Sequence, residues 1–173
     1  MDRELLLLGL LRREDMHGYQ LHEFINQNLS SCVDLKKPTA YFLLDKMAES
    51  GWILEVEEQQ EGNRPARHVY QLTPEGEAAF QRLLRENLST YHSARFLSDI
   101  GLAFLDTLEP AEAIALLNQR RGIIASELAN AEAVPAHSGS SQLVIEHLVR
   151  HLRTEHEWLN EVIGRLEKTS QGE

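Results

Sequence analysis

Arg67-His68-Val69-Tyr70-Gln71-Leu72-Thr73-Pro74-Glu75-Gly76 reads as a strand that runs straight into a helix. Thr73 supplies a capping hydroxyl, Pro74 a residue whose missing N–H costs nothing at a helix start, and Glu75 an acid for the first turn. Upstream, Trp52–Glu57 is also strand-like, and the stretch Gln59–Pro65 between the two is a turn with Gly62-Asn63 at its tip, where positive φ is tolerated. The two strands therefore predict a hairpin, followed by a helix that continues to about Thr90.

Two phrases precede the hairpin, Met16-His17-Gly18-Tyr19-Gln20-Leu21 and Thr39-Ala40-Tyr41-Phe42-Leu43-Leu44. Each opens a helical pattern. The first helix is expected over Asp2–Arg12 with Asp2 as its N-cap, broken at Glu14–Gly18. A second runs Tyr19–Asn28, its periodicity carried by Leu21, Phe24, Ile25 and Leu29. After a polar link with Ser30, Ser31 and Cys32, Pro38 suits the first position of a third helix over Thr39–Ser50. Gly51 then takes the left-handed cap, and Leu43, Leu44 and Met47 face the core. Three helices and a hairpin wing make a winged helix-turn-helix, a fold whose commonest use is to set one helix in a DNA major groove. Such a protein needs no catalytic residues.

The remaining chain carries no strand signal. Helices are expected over Ser93–Leu108, from Glu109-Pro110 to Val134, and over Ser141–Lys168, with a loop at Ala136–Ser140. Ile114, Leu117, Ile124, Leu128 and Ala131 form one apolar stripe, broken by Arg121. Ile145, Leu148, Leu152, Leu159, Val162 and Leu166 form another, broken by Glu155. Two such stripes predict an antiparallel helical pair. A single pair buries its stripes poorly, and a second copy of the chain would cover them. The fold class is thus mostly α, with a winged-helix DNA-binding domain at residues 1–90 and a C-terminal helical dimerisation domain at 91–173.

The chain has 173 residues, 42% hydrophobic and 25% charged, with one cysteine. That composition is globular, and a single cysteine excludes an internal disulfide and a cysteine-based zinc cluster. It fits a reducing cytoplasm. The apolar run Leu5–Leu11 is too short to span a membrane. Net charge is −10, with 8 basic against 12 acidic residues in 1–72 and 9 against 15 in 73–173. A duplex attracts positive surface, so this balance argues against DNA unless the positive charge is local. It is local: Lys36, Lys37 and Lys46 surround the third helix, and Arg64 and Arg67 lie in Asn63–Leu72, a stretch without an acid.

These phrases resemble the PadR family of transcriptional regulators, and the helical remainder is similar to its longer members with a C-terminal dimerisation domain. The family's His-Gly-Tyr-Glu-Leu phrase is matched by His17-Gly18-Tyr19-Gln20-Leu21 with Gln20 for Glu. Its recognition-helix phrase, Thr-Leu-Tyr-Pro-Leu-Leu, is matched at Thr39, Tyr41, Leu43 and Leu44, whereas Ala40 and Phe42 depart. Its Tyr-x-Leu-Thr-x-x-Gly phrase is carried by Tyr70, Leu72, Thr73 and Gly76. The resemblance implies a homodimeric repressor that binds a palindromic operator in double-stranded DNA and is released by a small-molecule effector. It implies neither an enzyme nor a cofactor.

Site expectations follow from that fold. Lys36, Lys37 and Lys46 read as phosphate contacts, with solvated surface as the alternative. Thr39, at the helix start, is the candidate to touch a base edge such as a thymine methyl. Tyr19 and Tyr41 each pair a ring that can pack with a hydroxyl that can reach a phosphate, and for Tyr41 core packing is equally open. Arg64 reads as a wing contact, and Arg67 could point either way. His17 reads as a polar residue at the start of the second helix, and Gly18 as a close-packing position. His147 and His151 share a helical face, as metal pairs do. Without a second ligand cluster they read as surface or interface residues, so no metal is expected. Trp158 could line an effector pocket, or be interface core. The alternative function is a winged-helix protein-interaction module, favoured by the acidic balance. A metal-dependent enzyme ranks third.

Overall fold

The computed structural model describes residues 2–28, 35–58, 67–91, 93–94 and 96–171. The chain divides into two compact units, Met1–Ser93 and Ala94–Glu173. The first contains α1 (Asp2–Leu11), β1 (Met16–His17), α2 (Gly18–Asn28), α3 (Lys37–Glu49), β2 (Ile53–Glu58), β3 (Arg67–Leu72) and α4 (Pro74–Ser89). The polar link with Cys32 and the hairpin tip at Gly62-Asn63 lie outside the described residues.

The leucine run of α1 buries Leu7, Leu8, Leu10 and Leu11. They meet Leu21 and Ile25 of α2, Leu43, Leu44 and Met47 of α3, Ile53, Tyr70, and Ala79 and Leu83 of α4 in one core. The expected hairpin is a three-stranded antiparallel sheet in the order β1-β3-β2. Met16 pairs with Tyr70 and His17 with Val69, so two residues expected in a break form an edge strand. A two-residue strand is too short to show an alternating pattern. Asp2 is the first helical residue of α1 rather than its cap, and Pro38 is the second of α3 rather than the first.

The junction from β3 to α4 is held by Thr73. Its hydroxyl accepts the Gly76 N–H at 2.9 Å and donates toward the Gly51 carbonyl at 2.7 Å and the Trp52 carbonyl at 3.0 Å. One side chain thus caps α4 and ties it to the turn after α3. Gly51 ends that turn with φ of +71°. A Thr73→Val variant keeps the shape and loses all three bonds; it should destabilise the chain by about 1–3 kcal/mol, the cost of a lost cap and unmet carbonyls, measured by urea denaturation. A loss below ~0.5 kcal/mol, an ordinary surface effect, would contradict this.

Beside it, Tyr70 is buried and its hydroxyl stands 3.5 Å from the Glu55 carboxylate. Burial, reinforced by the negative charges of Glu55 and Asp45, pushes its pKa up to about 12. Because the folded value lies above the ordinary one near 10, the stability linked to Tyr70 is intact below pH ~10 and is lost as pH rises through about 12. In an alkaline absorbance titration the four tyrosines should therefore give one late step, removed by Tyr70→Phe. Persistence of that step in the variant would refute the assignment.

The second unit holds α5 (Asp99–Leu102), a 3-10 turn at Leu105–Thr107, α6 (Pro110–Glu132) and α7 (Ser140–Gln171). The helix expected over Ser93–Leu108 is replaced by α5 and the 3-10 turn. Phe96, Leu97, Ile100 and Phe104 repeat at helical spacing but are exposed within the single chain, while Leu102 and Leu105 pack on the core around Leu117; a helix with so little packing is marginal. The helices α6 and α7 run antiparallel: Leu117 packs near Leu159 and Ile163, Arg120 pairs with Glu155, and Glu132 pairs with Arg153. The two polar breaks in the stripes are thereby explained, since Glu155 meets Arg120, and Arg121 donates to Asn160 at 2.9 Å. Ile163, outside the expected stripe, is buried in place of Leu148, which is exposed.

Candidate nucleic-acid interface

The helix α3 presents two faces. Ala40, Leu43, Leu44 and Met47 are buried, while Pro38, Phe42, Asp45, Lys46 and Glu49 lie outward. Lys36 occupies the N-cap in extended conformation with no side-chain cap, and Lys36 and Lys37 are both exposed. Two exposed lysines therefore open the helix, at the end where its dipole is positive. Thr39 is half-buried there.

Tyr41 packs between helices. A Cβ on Gly18 would stand 2.8 Å from its Cε1 and 3.3 Å from its hydroxyl, so glycine is what lets the ring lie against the start of α2. The Lys37 ammonium sits 6.0 Å from the same ring centroid, near the limit of a cation–π contact. Tyr41 is half-buried, and its packing role is the one with visible partners. His17 sets the start of α2: its backbone N–H donates to Gln20 Oε1 at 2.8 Å, the reciprocal half of a capping box, and its Nδ1 lies 3.2 Å from the His68 carbonyl. Gln20, the departure from the family's Glu, keeps that bond. Tyr19 stacks on His17 at 5.3 Å and is 43% exposed.

The remaining cations are not gathered equally. Lys46 lies nine residues beyond Lys37, about 14 Å along the helix at 1.5 Å per residue. Burial raises the Glu4 carboxyl's pKa, but the net displacement is downward, through the N-terminal ammonium first and the Lys46 charge least. Lys46 is exposed and within electrostatic reach of that acid. Arg67 opens β3 at the register position across from Glu58; the side chains of both, and all of Arg64, lie outside the described residues. Of the two adjacent aromatic residues on α3, Tyr41 is half-buried and Phe42 is 65% exposed.

In the second unit His147 and His151 are exposed on α7, and His151 stacks on Phe96 at 6.2 Å. Among the described residues no group of three metal-ligating side chains comes together. Trp158 is 36% exposed, beside the buried Leu159. Among the described residues no helix is long and apolar enough to cross a membrane.

A winged helix whose third helix carries an exposed basic N-terminus defines a DNA-binding regulator. Comparison with known proteins names the family. Residues 7–82 match the transcriptional regulator PadR-like family, and residues 100–167 match the family described as virulence activator alpha C-term. Residues 7–82 thus carry a domain of the PadR-like type, from a family of transcriptional regulators rather than enzymes. No curated protein matches the sequence. Among solved structures, Bacillus subtilis PadR in complex with operator DNA is similar with a TM-score of 0.81 and 19% identity, covering 94% of this chain and 98% of that one. The same protein in complex with p-coumaric acid gives 0.78 and 18%, covering 95% and 98%. The Vibrio cholerae virulence activator AphA gives 0.71 and 17%, covering 96% and 99%. At these identities the likeness is one of fold.

Proposed function

We propose that the chain is a cytoplasmic homodimeric repressor that binds a palindromic operator. In this reading residues 1–90 contact DNA and residues 91–173 hold two chains together. The observation that carries it is the exposed pair Lys36 and Lys37 at the start of α3, on a fold shared with an operator-bound relative. Lys36, Lys37 and Arg64 contact phosphates, Tyr19 and Tyr41 support that surface, and Thr39 approaches a base edge. Lys46, about 14 Å along the helix from Lys37, and Arg67, at the register position across from Glu58, contribute less. Against a net charge of −10, binding depends on these few local cations and weakens steeply with salt.

The test is a mobility shift on DNA upstream of the chain's own gene and its neighbours, across a salt series. Neutralising Lys36 or Lys37 should weaken binding to all duplexes and lower the salt slope by about one unit each. Wild-type affinity and slope in both variants would remove the assignment. If the wild type shifts no duplex even at low salt, the acidic balance instead favours a winged-helix module that binds protein.

The second unit buries three large apolar side chains, Leu117, Leu159 and Ile163, in its core, while Leu97, Ile100, Phe104, Ile123 and Leu143 are more than half exposed. Apolar surface on that scale is what a second copy covers. The B. subtilis relative is solved in complex with p-coumaric acid; a small-molecule effector of this chain then acts by favouring a head spacing unlike the half-site separation of about 34 Å. Trp158 is the candidate to meet it, and His147 and His151 serve as surface or interface residues. Linkage requires DNA and effector to weaken each other's binding by the same factor, about 5–150-fold for typical coupling. Equal effector affinity with and without saturating operator would exclude release by geometry.

A further inference from the structure

The geometry points to Phe42 as a base-reading residue that packs against thymine methyl groups in the major groove; this rests on the proposed DNA-binding role of α3. Among the described residues of α3, Phe42 is the large apolar side chain on the outer face, at 65% exposure. Its neighbours on that face are Pro38 one turn before and Asp45 and Lys46 one turn after, so it makes no core contact that would account for an aromatic there. The recognition-helix phrase that this chain resembles has proline at this position, and a ring reaches further than proline can.

Placement decides what the ring could meet. A recognition helix enters the groove by its N-terminal part. Phe42 is the sixth residue of α3, about 7.5 Å along the axis from Lys37, inside the stretch that Lys36 and Lys37 bring to the phosphates. Base edges in the major groove offer hydrogen-bonding atoms and one apolar group, the C5-methyl of thymine. A phenyl ring has no donor or acceptor to offer the former, so the methyl is the complementary feature. Thr39 is half-buried against the protein, which leaves Phe42 as the more prominent apolar reader of the two.

The experiment uses the full-length chain. Duplexes enriched from a random pool by the wild type are remade with each thymine replaced in turn by uracil, which deletes one methyl. Wild-type affinity should fall about fourfold at one thymine of each half-site, the factor for exposing one methyl-sized apolar group to water, and about 16-fold when both are replaced. Phe42→Ala should bind the thymine and uracil duplexes equally, while Phe42→Leu, still apolar, keeps part of the discrimination. Phe42 is exposed, so both variants should melt near the wild-type temperature. Equal uracil penalties in wild type and Phe42→Ala at every thymine would overturn the inference while leaving DNA binding intact. Failure of the wild type to enrich any duplex would overturn the DNA-reading role and this inference with it.

Discussion

Replacing Gly76 by alanine should destabilise the first unit by about 3 kcal/mol or more, the range of an overpacked core position. A Cβ at Gly76 would stand 1.9 Å from the Trp52 carbonyl oxygen, 2.9 Å from its carbon and 2.7 Å from Leu72 Cδ1. Backbone cannot yield as a flexible side chain can. Moving Trp52 would also break the bonds that Thr73 makes to the Gly51 and Trp52 carbonyls. Gly51→Ala is the comparison: its Cβ would meet nothing within 4 Å, but φ of +71° is strained for alanine, a cost of about 1 kcal/mol. Urea denaturation of the intact chain should rank the two losses in that order. Equal losses would mean that the approach of α4 to Trp52 is not what fixes this junction.

The second large effect is expected from removing the C-terminal helices. A chain ending at Thr90 should be a monomeric or poorly soluble head, and it should bind operator roughly 10²–10⁴-fold more weakly, the usual gain from linking two binding modules. The head keeps its own core, from Leu7 to Leu83, so the loss concerns linkage rather than the contact surface. Single half-sites should accordingly be bound about equally by the truncated and intact chains. Operator affinity unchanged by truncation would show that one head suffices.

Much of this fold is legible wherever a local chemical requirement meets a tight contact. Thr73-Pro74-Glu75 announces a helix start, and the structure adds that the same hydroxyl ties α4 to the turn at Gly51 and Trp52. Gly18 reads as close packing, and the Tyr41 ring lies where its side chain would be. His17 reads as a shaping residue, and its bond to Gln20 is of that kind. What the residues alone leave hidden depends on distant partners. Met16 and His17 become a strand through β3, some fifty positions away. The spacing over Ser93–Leu108 is helical, yet within one chain Leu102 and Leu105 pack on the core while Leu97, Ile100 and Phe104 stay exposed. In α7 adjacent apolar residues compete, and Ile163 is buried rather than Leu148. For the candidate interface, residue types identify the cations, whereas only the fold puts Arg67 at the register position of Glu58 and leaves Phe42 more exposed than Tyr41.

The central claim, a dimer that places two basic helix starts on one operator, is tested most directly by sedimentation velocity at micromolar concentration. The intact chain would be run alone and with a duplex from its own promoter, at low and at physiological salt. A dimer is expected without DNA and two chains per duplex with it, the complex dissociating as salt rises. A free monomer, together with no co-sedimentation at low salt, would contradict it.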